Sequence, residues 1–161
     1  MDTKLLAKKI RFEIICMSNR SRAPHLASSL SCADIISVLY EKILKTSKTN
    51  KKFSDKFILS KGHAATSLYT ILSHKKIIKK KDLLTYAKKN SLLEEHPNPK
   101  LSGVEAPTGS LGHGLSIGCG MALAGKILKS KLRTFVLIGD GECNEGSIWE
   151  AALFAVAKKL N

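Results

Sequence analysis

Thr134-Phe135-Val136-Leu137-Ile138-Gly139-Asp140-Gly141-Glu142-Cys143-Asn144-Glu145-Gly146-Ser147-Ile148-Trp149-Glu150-Ala151-Ala152 reads as a strand, a tight turn and a helix in succession. The unbroken apolar run from Phe135 to Ile138, closed by Gly139, predicts a strand covered on both faces, and Ile148, Trp149, Ala152, Phe154 and Ala155 fit a helix. Asp140 therefore stands at the C-terminal edge of a strand, where open α/β sheets hold ligands. Gly139 and Gly141 let the backbone approach a bulky anionic group closely. A carboxylate oxygen beside such an anion points to a hard divalent cation, magnesium, bridging protein to phosphate.

Working outward, the same grammar recurs upstream. Phe57 to Ser60 predicts a short strand and Ala64 to Leu72 a helix, joined by Lys61-Gly62-His63, so His63 and free backbone N–H groups lie at a helix N-terminus that favours an anion. Leu5, Leu6, Ile10, Ile14 and Met17 predict a first amphipathic helix. Ser18 to Ser29, polar and interrupted by Pro24, predicts a loop carrying His25. Ser31 and Asp34 read as a helix start, ahead of an apolar stripe at Ile35, Val38, Leu39 and Ile43. Asp82 to Ala87 predicts a short helix, and Glu94 to Pro99 a loop stiffened by Pro97 and Pro99 that carries His96. A glycine-rich loop from Gly103 to Gly114 then leads into a helix from Leu115 to Leu128. Its Gly118, Gly120 and Gly125 each cost about 1 kcal/mol relative to alanine, which close packing must offset. No internal repeat or low-complexity linker divides residues 1–161, so one domain is expected.

The net charge of +14 comes largely from lysines between Lys42 and Lys61, between Lys75 and Lys89, and from Lys126 to Lys131. No aromatics are interleaved at stacking positions, so a solvated basic surface is expected rather than a nucleic-acid interface. Its field would draw anionic ligands inward. Cys16, Cys32, Cys119 and Cys143 show no C-x-x-C spacing, so neither a zinc site nor a disulfide framework is indicated, and reduced thiols in the cytoplasm are expected. Charges at Lys4, Lys8, Lys9, Arg11 and Glu13 leave no apolar core for a signal peptide, and no run approaches membrane-spanning length. The glycines around His113 lack the spacing and preceding strand of a dinucleotide fingerprint, and no P-loop is present.

Gly139-Asp140-Gly141, followed by Glu142, Glu145-Gly146 and Trp149-Glu150-Ala151, resembles the thiamine-diphosphate signature of transketolases, especially those whose halves are separate chains. The resemblance implies that Asp140 binds Mg2+ and that Gly139, Asp140, Gly141 and Glu142 border the cofactor. In that family a later asparagine completes the metal site; this chain ends first, and Asn161 comes too early to serve. Gly62-His63-Ala64 is similar to the segment that sets a histidine near the diphosphate and the reacting carbon. Pro24-His25-Leu26 stands where the family has a Gly-His-Pro-Gly turn, and His96-Pro97 resembles the segment that meets the sugar's hydroxyls. Gly109-Ser110-Leu111 matches the loop that touches thiamine diphosphate through its backbone, with His113 close behind. Glu145 and Glu150 resemble carboxylates that face their symmetry mates across a dimer and relay protons; two facing carboxylates without water share a proton.

The implied fold is the pyrophosphate-binding domain of the thiamine-diphosphate enzymes, an α/β three-layer sandwich with a mostly parallel sheet, C-terminally incomplete. The implied activity is transfer of a two-carbon ketol unit between phosphorylated sugars, with the cofactor carrying the covalent chemistry. The sugar phosphates are one class of partner. A pyrimidine-binding half, which nothing in residues 1–161 matches, is the other, giving a homodimer or heterotetramer, and the chain alone is expected to be inactive. Three alternatives stand beside this: a component of the 2-oxoacid dehydrogenase E1 α or deoxyxylulose-phosphate synthase type, a non-catalytic remnant or binding module, and a basic nucleic-acid binder. Glu142 and Trp149-Glu150-Ala151 favour transketolase over the first.

Overall fold

The computed structural model describes residues 2–45 and 55–160. Part of the first lysine-rich stretch and Asn161 lie outside the described residues.

Two short strands pair in parallel at the centre. Strand β1 (Lys56–Leu59) meets β2 (Thr134–Leu137) in the register Phe57↔Phe135 and Leu59↔Leu137. The side-chain period of two then sorts the residues by face. Phe57 and Leu59, with Phe135 and Leu137 packed behind, turn into the main core. Ile58 and Val136 turn the other way, toward helix α5 (His113–Ile127), whose Gly118 lies directly over Val136.

The first face is covered by α1 (Thr3–Ser21), α3 (Ala33–Val38) and α4 (Ala65–His74). Leu6, Ile10, Ile14 and Met17 recur on the inner side of α1 and are buried against Ile36, Leu68, Tyr69, Ile71 and Leu72. Helix α6 (Gly146–Ala157) packs on the outer side of α5. Helices, sheet and helices make three layers of α/β type, as the sequence predicts.

Several local expectations are corrected. Residues 26–31 form a helix, α2 (Leu26–Ser31), where a loop through Ser29 is expected. Packing overrides the polar sequence here, because Ser29 is buried and its hydroxyl accepts from Thr66 Oγ1 at 2.7 Å. The next helix is not capped by Ser31: α3 starts at Ala33 after Cys32, and Asp34 pairs with Arg11 of α1. It continues through a π-helical turn, Leu39–Ile43. Lys80–Thr85 is a 3-10 turn rather than an α-helix over residues 82–87, closed by Lys79 N–H donating to Asp82 at 3.0 Å. Both faces of β2 are covered, as the sequence predicts, yet its residues are only half-buried, and β1 flanks one of its edges among the described residues.

Parallel pairing places the C-terminal ends of both strands on one edge. The turn that follows β1 and the turn that follows β2 are thereby set side by side, and the cleft between them is the candidate site.

Candidate functional site

Ser60, Lys61 and Gly62 leave β1 and pass into a 3-10 turn, Gly62–Ala64, that runs straight into α4. Gly62 is required by close approach: a Cβ there would sit 2.6 Å from the Thr108 carbonyl carbon. Thr108 Oγ1 in turn donates to the Leu59 carbonyl at 2.7 Å, tying the 108–112 loop to the end of β1.

Three histidines from three segments converge above this turn. The His25 ring lies 5.3 Å from that of His63 and 6.4 Å from that of His96, centroid to centroid. His25 is held there by an unusual backbone, φ 72°, in the left-handed region that non-glycine residues rarely occupy. Such strain is tolerated where the surrounding structure fixes it, and it concentrates at functional sites. His96 is placed by its own carbonyl, which accepts from Tyr69 Oη at 3.0 Å, and its ring lies against Gly109 so closely that a Cβ there would come within 2.8 Å. Burial, then the nearby His25, Lys61 and His96, push the His63 imidazole below the ordinary histidine value, with Glu142 opposing.

The turn after β2 is organised by Glu142, which is 1 % exposed. Its carboxylate accepts from Ser60 Oγ at 2.5 Å, Gly112 N–H at 2.8 Å and Gly139 N–H at 3.1 Å. These three donors pin three segments of the cleft together around the Glu142 carboxylate. Asp140 is different: it is exposed and stands before the 3-10 turn Gly141–Asn144. Its carboxylate makes no hydrogen bond among the described residues, while its carbonyl accepts from Cys143 N–H at 3.0 Å.

His113 stands apart from the other three turn histidines. It is the first residue of α5, exposed, with Nδ1 3.3 Å from the Leu111 carbonyl, and it does not join the histidine cluster. Ser110 and Leu111 are exposed beside the buried Gly112. Glu145 stands before α6 with its Cβ against Gly112, and Glu150 lies on the outside of α6; both are exposed.

Sequence reading missed Lys61, Ser60 and Ser31. Lys61 is only 8 % exposed and its Nζ donates to Ser31 Oγ at 3.2 Å. The available signal was a lysine between a buried strand and Gly62-His63, lost among the other lysines of a strongly basic chain.

The residues present fit a magnesium-bound diphosphate. Space stays open around Gly141, where a Cβ would meet nothing within 4 Å, the Lys61 side chain runs past Gly139 into the cleft, and Asp140 offers one exposed carboxylate. No cluster of three or more His, Cys, Asp or Glu able to hold a metal occurs among the described residues. Magnesium is commonly held by one or two carboxylates together with phosphate oxygens and water, and Asp140 would supply one such carboxylate.

Residues 2–161 match the family described as "Transketolase, thiamine diphosphate binding domain". One of the subunits of the apulose-4-phosphate transketolase of Phocaeicola vulgatus is 38% identical over 160 residues, covering 98% of this chain and 57% of that protein. Human transketolase-like protein 2 is 44% identical over 152 residues, covering 92% of this chain and 24% of its own length. The solved transketolase from Leishmania mexicana shares the fold, with a TM-score of 0.85 at 23% identity over 96% of this chain and 25% of its own. The chain thus spans between about a quarter and somewhat over half of these relatives. On the match across residues 2–161, the chain belongs to the transketolase thiamine diphosphate-binding domain family.

Proposed function

We propose that the chain is the N-terminal, diphosphate-binding part of a transketolase that moves a two-carbon ketol unit between phosphorylated sugars, with thiamine diphosphate and Mg2+ as cofactors. The single observation that carries this reading is the meeting of His25, His63 and His96 over the Gly109 loop. The bound cofactor would supply the carbanion chemistry of carbon–carbon cleavage. This chain's residues supply position and proton traffic. Asp140 would hold Mg2+ against the diphosphate, and the backbone of Gly109, Ser110 and Leu111 would border the cofactor. His63, kept neutral by burial and by its cationic neighbours, is suited to take a sugar hydroxyl proton as the bond breaks and return it as the product forms. His25 and His96 are placed to orient hydroxyl groups on either side of it.

A second, pyrimidine-binding part completes this scheme, supplied by a partner chain or further segment. The Phocaeicola vulgatus relative is named as one component of a multi-chain transketolase, which supports the two-chain arrangement, and its name supports a phosphorylated-sugar substrate. We further propose that Glu145 and Glu150, both exposed, serve the contact between protomers. Four free thiols accord with the reducing cytoplasm.

Calorimetric titration with thiamine diphosphate and Mg2+, with the partner half present, tests the reading. Wild type should bind saturably and Asp140→Ala should lose about tenfold or more in affinity. Equal binding by the two would end the proposal. Turnover of xylulose 5-phosphate in preference to pyruvate separates transketolase from the 2-oxoacid dehydrogenase and deoxyxylulose-phosphate synthase types.

A further inference from the structure

Lys61 presents an electrostatic imbalance. An ammonium is almost never buried without a compensating charge. Yet Lys61 is 8 % exposed and, among the described residues, pairs with no carboxylate; its one hydrogen bond is to the neutral Ser31 hydroxyl at 3.2 Å. Glu142, the acidic group whose field reaches this corner, has its oxygens occupied by Ser60, Gly112 and Gly139. Among the described residues, two of the three ammonium donors thus lack a protein acceptor.

The side chain's course shows where a counter-charge would sit. It leaves the end of β1, runs alongside Gly139, where a Cβ would lie 3.6 Å from Lys61 Cβ and 3.9 Å from Lys61 Cδ, and ends at Ser31. Ser31 is exposed at the last residue of α2 and already donates to the Ser28 carbonyl at 2.9 Å. The ammonium therefore ends at the rim of the cleft, between α2 and the turn that carries Asp140.

We propose that Lys61, steadied by Ser31, is the cation of an anion subsite at the rim of the Asp140 turn, taking an oxygen of a phosphate or diphosphate group. The subsite is argued from the course of the Lys61 side chain into the cleft and from the lack of a carboxylate partner among the described residues; which phosphate it takes rests on the transketolase reading. The cofactor's diphosphate and a sugar's phosphate share the chemistry, and the probes separate them.

The test is calorimetry on the full-length protein with Mg2+ at fixed ionic strength, using inorganic pyrophosphate, thiamine diphosphate and ribose 5-phosphate in turn. Lys61→Met should weaken at least one of them about tenfold or more, and Lys61→Arg, which keeps the charge, should stay within about threefold of wild type. Loss confined to pyrophosphate and thiamine diphosphate assigns the subsite to the diphosphate; loss confined to ribose 5-phosphate assigns it to the sugar. Lys61-dependent pyrophosphate binding with no gain from the thiamine portion keeps the subsite and defeats the thiamine reading. Unchanged affinity of Lys61→Met for all three probes overturns the proposal. A second readout needs no variant: with isotope-labelled lysine, the Lys61 ε-methylene signal of the wild type should shift on saturation with the bound probe, and a stationary signal overturns the assignment equally.

Discussion

His63 lies within reach of two other imidazoles and the Lys61 ammonium, and its titration reports on all of them. Burial is the largest cause of its lowered value, followed by His25, Lys61 and His96. Followed by nuclear magnetic resonance, His63 should titrate below the ordinary histidine value of about 6.5. His25→Gln and His96→Gln should each move the midpoint upward, because each removes a positive neighbour; a downward or absent shift would contradict the cluster. The linkage has a definite sign. The unfolded chain binds the His63 proton more readily, so this group costs the fold nothing above about pH 6.5 and destabilises it as the pH falls from there toward the lower folded value. At this scale the sequence exposed His25, His63, His96 and Asp140 through their turn contexts. It could not expose Lys61 or the clamping role of Glu142, because these depend on what a side chain reaches across 82 residues of chain, as Ser60 and Glu142 do.

Helix α5 shows how an element of weak local propensity is held. Its glycines look alike in the sequence but meet different surroundings. A Cβ at Gly114 would lie 2.2 Å from Ser60 Oγ and 2.7 Å from Ser60 Cα, and one at Gly118 would lie 2.4 Å from Val136 Cγ2. These two let α5 rest directly on the end of β1 and on β2. Gly120 meets nothing within 4 Å. Urea denaturation should accordingly divide the three. Gly114→Ala and Gly118→Ala should destabilise by about 1–3 kcal/mol through overpacking, whereas Gly120→Ala should stabilise by about 0.5–1 kcal/mol through helix propensity alone. Equal effects at all three positions would remove the packing explanation. Strands, long helices and the turn after each strand were legible from periodicity and glycine punctuation. The short α2 was not, since its serines favour loops locally and become helical only by hydrogen bonding to α4 and packing on the Gly62–Ala64 turn.

Across the whole molecule, apolar exposure is uneven. The core side of the sheet is sealed by α1, α3 and α4, while α6 and the end of α5 leave Trp149 62 %, Leu153 72 % and Val156 78 % exposed, with Ile127 and Leu128 similarly open. Scattered apolar residues are ordinary on a surface, but several large ones on adjoining helices form a patch of the kind that further protein surface covers. The Trp149 indole is also fixed in place, since Nε1 donates to the Cys143 carbonyl at 2.8 Å and so ties this exposed ring to the turn that follows Asp140. A surface held rigid before contact loses less entropy on association. The sequence marked α6 as apolar without revealing which of its sides would remain uncovered, because that depends on neighbours across the fold. Leu153→Glu combined with Val156→Glu should therefore reduce self-association or partner capture, read as a lower mass in sedimentation velocity at equal protein concentration. The double variant should retain the wild-type circular dichroism, since neither side chain contributes to the core. An unchanged mass with the fold intact would show that this face is not where the molecule makes its contacts.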